Sequence, residues 1–336
     1  MKTYSEAGVD IDKKDVFLNS LLASMRFRRK GFKEITNIGH YTSLVDIGQY
    51  YLAVNTDGVG TKMIIAEEMK KYLNVGIDAI AMNVNDTICV GAEPFAFVDY
   101  LIIRDYDIDK AKQIGMGLNM GARMANVNIV GGETAVMPDM VNYTDLSGTS
   151  VGIVKKGKQI TGSKIRKGDL IYAIASSGLH SNGFTLVRKL LKEKNISYEM
   201  KLKGRKIGDI LLTSTYIYVK PVMEIVKNNY AHGLAHITGG GLRNLIRLKK
   251  VKFVIDHPLK IPSIFEYIRE LGNIDYVEMY QTFNMGMGFM IITNENYIKN
   301  VDRIVEKHGF YGETVGYIDS GFGVELPEYK IRYEKY

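Results

Sequence analysis

Apolar residues recur along this chain at two periods, and the switches between them outline its elements. Spacings of three and four, the mark of a helix with one buried face, predict helices over about 12–29, 76–90 and 108–125. Short apolar runs bounded by turn residues predict strands over 50–55, 95–103, 128–130 and 146–154, the run at 95–103 reading as buried. A polar, glycine-punctuated stretch, KKGKQITGSKIRKGD (155–169), then interrupts the apolar pattern. Beyond it the alternation resumes, with strands over 170–175, 252–255, 288–292 and 313–318 and helices over 183–194, 263–271 and 297–308. Helices and strands mixed in both halves predict an α+β (mixed α/β) fold of two domains, 1–163 and 164–336.

Composition narrows the class. With 46% apolar and 24% charged residues over 336 positions, the chain can bury two cores and is neither fibrous nor disordered. No apolar run approaches the roughly 20 residues of a membrane helix, since Asp99 interrupts even FAFVDYLII (95–103). The opening MKTYSEAGVDIDKKD lacks the apolar core of a secretory signal, so a cytoplasmic protein without membrane contact is expected. A single cysteine, Cys89, forms no intramolecular disulfide and reads as a small buried filler. The net charge of +7 arises entirely after residue 165, where 25 basic residues face 18 acidic ones, against 19 of each before it. That excess suits phosphorylated ligands or nucleic acid. The basic stretch MRFRRKGFK (25–33) reads as a solvated helix end, and no nucleic-acid module accompanies it.

Candidate chemistry concentrates where strands end. NTDGVGTK (55–62) follows the strand YYLAV. Its glycines let backbone N–H groups approach an anion, Lys62 adds positive charge, and Asp57 is an oxygen ligand for a hard cation. The same residues fit an ordinary strand-end turn with a capping Asp equally well. In the helix GIDAIAMNVNDTICVGAEP (76–94), Ile77, Ile80, Ala81, Val84 and Ile88 share one face, while Asp78, Asn85 and Asp86 occupy the opposite flank. A solvated flank and a metal-and-phosphate flank both agree with that division. NIVGGETAVMP (128–138) reads as a strand opening into a Gly-Gly turn that presents Glu133 and Thr134. SSGLHSNG (176–183) opens a helix whose free N–H groups favour a phosphate, with His180 able to donate a hydrogen bond or a proton. HITGGGLRN (236–244) offers three consecutive glycines. GIVKKGK (152–158) imitates a phosphate-binding loop but lacks the following Ser or Thr, and reads as linker.

Taken in order, AGVDID (7–12), TDGVGTK, GIDAIAMNVNDTICVGAEP, GGETAVMP, SSGLHSNGFTLVRK, HITGGGLRN and YQTFNMGMGFM resemble the aminoimidazole ribonucleotide synthetases, the phosphoribosylformylglycinamidine cyclo-ligases. The resemblance spans nearly the whole chain. It implies a reaction of purine synthesis in which ATP activates the formyl oxygen of formylglycinamidine ribonucleotide and a neighbouring nitrogen closes the imidazole ring. It also implies ATP and magnesium as cofactors, with Asp57, Asp78 and Asp86 on the metal and Lys62, Gly132, Glu133 and Thr134 on ATP. Ser177, Gly178, Asn182 and Gly183 would hold the substrate, with His180 at the reacting centre. The resemblance further implies a homodimer in which first-domain strands associate into a barrel, beside a sandwich-like α/β second domain. One segment departs from the family's pattern: its glycine-rich loop of the form GGFGAL stands here as NIGHYTSL (37–44).

Two sister activities share this architecture. Selenophosphate synthetases usually need a reactive Cys or selenocysteine near the amino terminus, where this chain has none. Thiamine-monophosphate kinases match SSGLHSNG and TFNMGMG less closely.

Overall fold

The computed structural model describes residues 11–25, 27, 31–34 and 41–335, with side chains from residue 16 onward. AGVDID is described only from residue 11. Arg26 and residues 28–30 of the basic stretch, and residues 37–40 of the departing loop, lie outside the described residues. The first half runs α1 (Ile11–Ser24), β1 (Ser43–Asp46), β2 (Tyr50–Gly58), α2 (Lys62–Met69) and α3 (Leu73–Ile88). It continues through β3 (Glu93–Ile103), α4 (Ile108–Ala125), β4 (Asn128–Val136) and β5 (Asp145–Lys155). The second half opens with β6 (Leu170–Ala175), α5 (Phe184–Glu193), the short pair β7 (Lys201–Leu202) and β8 (Arg205–Lys206), α6 (Ile207–Leu211), α7 (Val219–Lys227) and β9 (Gly233–His236). A 3₁₀ turn (Gly241–Arg247), β10 (Lys252–Ile255), α8 (Ser263–Gly272), α9 (Tyr276–Thr282), β11 (Met287–Thr293) and α10 (Ile298–Lys307) follow. The described chain closes with β12 (Gly312–Asp319), β13 (Gly323–Leu326) and β14 (Ile331–Tyr333). The fold is mixed α and β in both halves, as expected.

Two sheets organise it. The first has the order β1-β2-β5-β3-β4, antiparallel except for the β3–β4 pair that the α4 crossover joins in parallel. α3 and α4 cover one face. The other face leaves Val54, Phe95, Val98 and Tyr100 at 36–45% exposure. The run at 95–103 is therefore half-buried, and its apolar residues that face away from the helices made it read as a core strand. α4 starts where Asp107 accepts hydrogen bonds from the N–H groups of Asp109 and Lys110, at 2.9 and 3.0 Å, and ends at Asn126 in the left-handed conformation.

The second sheet has the order β14-β13-β10-β12-β6-β11-β9. β11 is buried throughout, and β6 nearly so. Antiparallel pairing of β11 with β6 and β9 sets Met287 against Ala175 and Phe289 against His236. The end of β6, the end of β9 and the start of β11 therefore lie side by side. The loops carrying SSGLHSNG, HITGGG and TFNMG meet at that end of the sheet.

α3 lies between the two halves, touching β2, β3, β5 and α4 on one side and α7 and β9 on the other. All of it from Val75 to Asn85 is buried. Of the two readings of its polar flank, the solvated one does not hold, because the second half covers it. α3 and α4 approach closely because Gly117 has no side chain; a Cβ there would stand 1.9 Å from the Leu73 carbonyl oxygen. Among the described residues no helix is long and apolar enough to cross a membrane.

Since both helices are tied to the first sheet, Gly117→Ala must push them apart. We expect a loss of about 1–3 kcal/mol, the usual cost of overpacking, measured from the urea midpoint. An unchanged midpoint would contradict this packing.

Candidate active site

The centre of the molecule holds a charge pair taken wholly out of water. Lys62, the first residue of α2, and Asp78 of α3 both have 0% exposed side chains, and Lys62 Nζ lies 2.7 Å from Asp78 Oδ2. The ammonium also donates to the carbonyls of His180 at 3.0 Å and Thr213 at 2.7 Å. Two carbonyls and one carboxylate thus surround the charge. The other oxygen of Asp78 accepts the Thr215 N–H at 2.6 Å. Burial pushes the lysine pKa down from its ordinary value, and the charge of Asp78 opposes that shift. Sequence reasoning set Lys62 beside a phosphate and Asp78 beside a metal; here each is bound to the other.

About two turns further along α3, the same flank grips the second half again. Asn85 accepts the Tyr218 N–H at 2.9 Å and donates to the Tyr216 carbonyl at 2.8 Å. Asp86 Oδ1 lies 2.8 Å from Nδ1 of His236, the last residue of β9, whose ring is completely buried. The carboxylate holds a proton on Nδ1, and Nε2 lies 3.5 Å from Asn85 Nδ2. Thr42 donates to the backbone carbonyl of Asp86 at 2.9 Å, and Tyr41 is buried with its hydroxyl on the Asn244 carbonyl at 3.2 Å. The described end of the departing loop is thus anchored to the second half, over the Arg247 guanidinium.

His180 occupies the loop between β6 and α5 in a left-handed conformation, φ 61°, and is 1% exposed. Such a backbone costs a non-glycine residue on the order of 1–3 kcal/mol unless its surroundings enforce it. The Ser177 N–H and the Tyr218 hydroxyl both stand 3.4 Å from Nε2, and Tyr218 donates to the Ala175 carbonyl at 2.9 Å. Nδ1 has no hydrogen-bond partner among the described residues. Burial, then the neighbouring His236 and Lys62, hold the imidazole pKa well below its usual value, so the ring is neutral at pH 7. Ser177 Oγ donates to the Ser214 carbonyl at 2.6 Å, and Asn284 donates to the Gly178 carbonyl at 2.9 Å. Asn182 leaves its buried Nδ2 without a partner.

Two glycines explain why the TFNMGMG motif accompanies this loop. A Cβ on Gly183 would lie 2.1 Å from the Phe283 ring, and one on Gly288 would lie 2.0 Å from the Tyr218 hydroxyl and 2.7 Å from the His180 ring. Both strips of chain pack too closely for a side chain.

The remaining expected residues sit on the first sheet. Asp57 ends β2, where its carboxylate accepts the N–H of Gly58 at 2.7 Å and its carbonyl accepts from Asn83 of α3 at 3.1 Å. Gly131 and Gly132 form no turn. They lie within β4, in parallel register with Val98 and Asp99, with Glu133 and Thr134 exposed on the same edge strand. Sequence reasoning took the glycines for a break; here the absent Cβ of Gly132 leaves room for Asp99, whose carboxylate oxygen would stand 2.4 Å from it. Among the described residues no three His, Cys, Asp or Glu side chains gather into a metal cage.

Comparison with known proteins then identifies the architecture. The domain model described as AIR synthase related protein, N-terminal domain, matches residues 39–154, and its C-terminal counterpart matches residues 166–327. The phosphoribosylformylglycinamidine cyclo-ligase of Thermoplasma volcanium is 46% identical over 318 residues, 94% of each chain. That of Pyrococcus furiosus is 47% identical over 337 residues, 97% of this chain and 100% of its own. The chain belongs to the phosphoribosylformylglycinamidine cyclo-ligase family. Among solved structures, a thiamine-monophosphate kinase from Stenotrophomonas maltophilia superposes with a TM-score of 0.65 at 17% identity, over 94% of this chain and 96% of its own. Thermotoga maritima PurL complexed with ATP gives 0.60 at 14% identity, over 89% of this chain and 46% of its own. At those identities the likeness shows the fold alone.

Sequence reasoning gave no role to His236 or Tyr218, and set Asn85 on the polar flank of α3 without a partner. His236 had one available signal, its place directly before ITGGG, but a lone histidine at a strand end carries no spacing that marks a partner carboxylate 150 residues away. Because folded His180 resists protonation while the unfolded chain accepts a proton below about pH 6.5, it lowers stability as pH falls below that value. His180→Asn, which tolerates the left-handed backbone, should lessen the acid-side loss of stability by up to about 1.4 kcal/mol per pH unit below 6.5. Urea midpoints at pH 7, 6 and 5 measure it; identical pH profiles for both proteins would contradict a neutral buried imidazole.

Proposed function

We propose that this chain is an ATP-dependent cyclo-ligase, converting formylglycinamidine ribonucleotide to aminoimidazole ribonucleotide with release of ADP and phosphate. The observation that carries this reading is the chain-length match to named cyclo-ligases at 46–47% identity, against 17% for the kinase of the same fold. The residue chemistry supports it. Transfer of a phosphoryl group to the formyl oxygen needs positioning and charge neutralisation, and ring closure needs two groups of one substrate held in attack geometry. Neither step requires a nucleophile from the protein. Cys89 would be a poor one, since it is buried with its thiol on the Asn85 carbonyl, and burial raises its pKa well above normal.

In this reading residues 1–163 bind ATP and metal, and 164–336 contribute substrate and nucleotide contacts. The exposed edge residues Gly132, Glu133 and Thr134 contact ATP. Ser177, Gly178, Asn182 and Gly183, before the uncapped N-terminus of α5, take the substrate. The unpartnered Nδ1 of His180 is the atom left to exchange a hydrogen bond or proton with it. Magnesium fits Asp57 and Asp86, two carboxylates whose α3 and β2 supports meet through Asn83; that ion prefers one or two carboxylates completed by phosphate oxygens over a protein cage. When bound, it would neutralise phosphate charge. We further propose a cytoplasmic homodimer, which the apolar open face of the first sheet and the exposed edge strand β4 support.

Incubated with formylglycinamidine ribonucleotide, ATP and magnesium, the protein should release one ADP per aminoimidazole ribonucleotide identified by mass. Asp86→Asn should lower kcat by about 10²-fold or more. Turnover of thiamine monophosphate in place of the ribonucleotide, or full activity of the Asp86→Asn variant, would overturn the assignment.

A further inference from the structure

We infer that Lys62 and Asp78 are positioning residues, a buried strut by which the first half of the chain sets the His180 loop and the 213–215 segment in working register. The wholly buried Lys62 ammonium donates to two carbonyls and pairs in charge with Asp78 at 2.7 Å, and these three partners belong to three separate pieces of chain: α3, the loop after β6 and the segment before α7. Asp78 grips the third of these again through the Thr215 N–H. The ammonium is thus enclosed by partners of this chain, with its side chain 0% exposed.

What the strut holds is the substrate side of the site. The His180 carbonyl that Lys62 binds belongs to the residue whose left-handed backbone aims the imidazole at Tyr218. Ser214, between the two residues that the pair grips, accepts the Ser177 hydroxyl. Lys62 and Asp57 are five residues apart on the NTDGVGTK segment, so a shift at the end of β2 is carried through the start of α2 directly to the substrate loop. Nearby links between the halves, Thr61 with Thr185 at 3.0 Å and Asn74 with the Leu212 carbonyl at 2.8 Å, join the same pieces of chain but carry no charge.

The activity arm of the test rests on the cyclo-ligase reading; the other arms do not. In Lys62→Met/Asp78→Leu the pair is replaced by apolar groups of similar size, a change that buried ion pairs commonly survive. If that protein does not fold by circular dichroism, Lys62→Gln serves, because its amide still donates to one of the carbonyls. We expect kcat to fall by about 10²-fold, the cost of misplacing reacting groups by about 1 Å. Binding of a non-hydrolysable ATP analogue, measured by calorimetry, should stay within about threefold of the parent. Amides of residues 177–183 and 213–215 should lose protection in hydrogen exchange. Analogue binding weakened about tenfold or more with protection intact would make Lys62 a phosphate ligand and overturn the inference. Three unchanged readouts would overturn it too. If the parent itself makes no aminoimidazole ribonucleotide, the cyclo-ligase reading fails, and exchange and calorimetry still decide the strut.

Discussion

A charge pair with no access to water is the constraint on which this structure turns. Taking Lys62 and Asp78 out of solvent costs several kcal/mol per ion, and their attraction offsets that only with good geometry and full hydrogen bonding. The offset is available only when the two halves of the chain are together: all three hydrogen bonds that support the pair come from His180, Thr213 and Thr215 of the second half. The pair is thus poor as a source of stability and good as a gauge of position. Any displacement of the second half leaves a buried charge short of partners.

From that gauge the rest of the site follows by close packing. α3 can reach both halves because Gly117 lets α4 lie against it. Its polar flank, set by the helical period, then meets two pieces of the second half, the segment 215–218 through Asp78 and Asn85 and the end of β9 through Asp86. On the far side, the antiparallel register of β6, β11 and β9 brings three loops to one end of the sheet. Gly183 and Gly288 allow those loops to touch. The result is a neutral histidine held by its backbone on one side and by a tyrosine on the other, with one ring nitrogen left over.

Much of this was legible before any coordinates. Period and turn chemistry placed α4 and β6 at their observed bounds, and the two second-half loops that looked chemical, SSGLHSNG and HITGGG, meet at one end of their sheet. What failed was the direction in which residues face. A helix flank carrying Asp78, Asn85 and Asp86 looks the same in sequence whether water or another domain lies against it, and only the tertiary fold decides. The Gly-Gly of β4 was misread because glycine ends a strand far more often than it makes room within one for a neighbour such as Asp99. His236 stayed hidden because its meaning depends on a carboxylate distant in sequence.

The most direct test is a crystal structure with a non-hydrolysable ATP analogue and magnesium. The Lys62 ammonium should remain on Asp78 and on the His180 and Thr213 carbonyls, with phosphate charge met elsewhere. A structure in which Lys62 leaves those partners for a phosphate oxygen, freeing Asp78 to bind metal, would contradict the buried pair as the fixed point of the site.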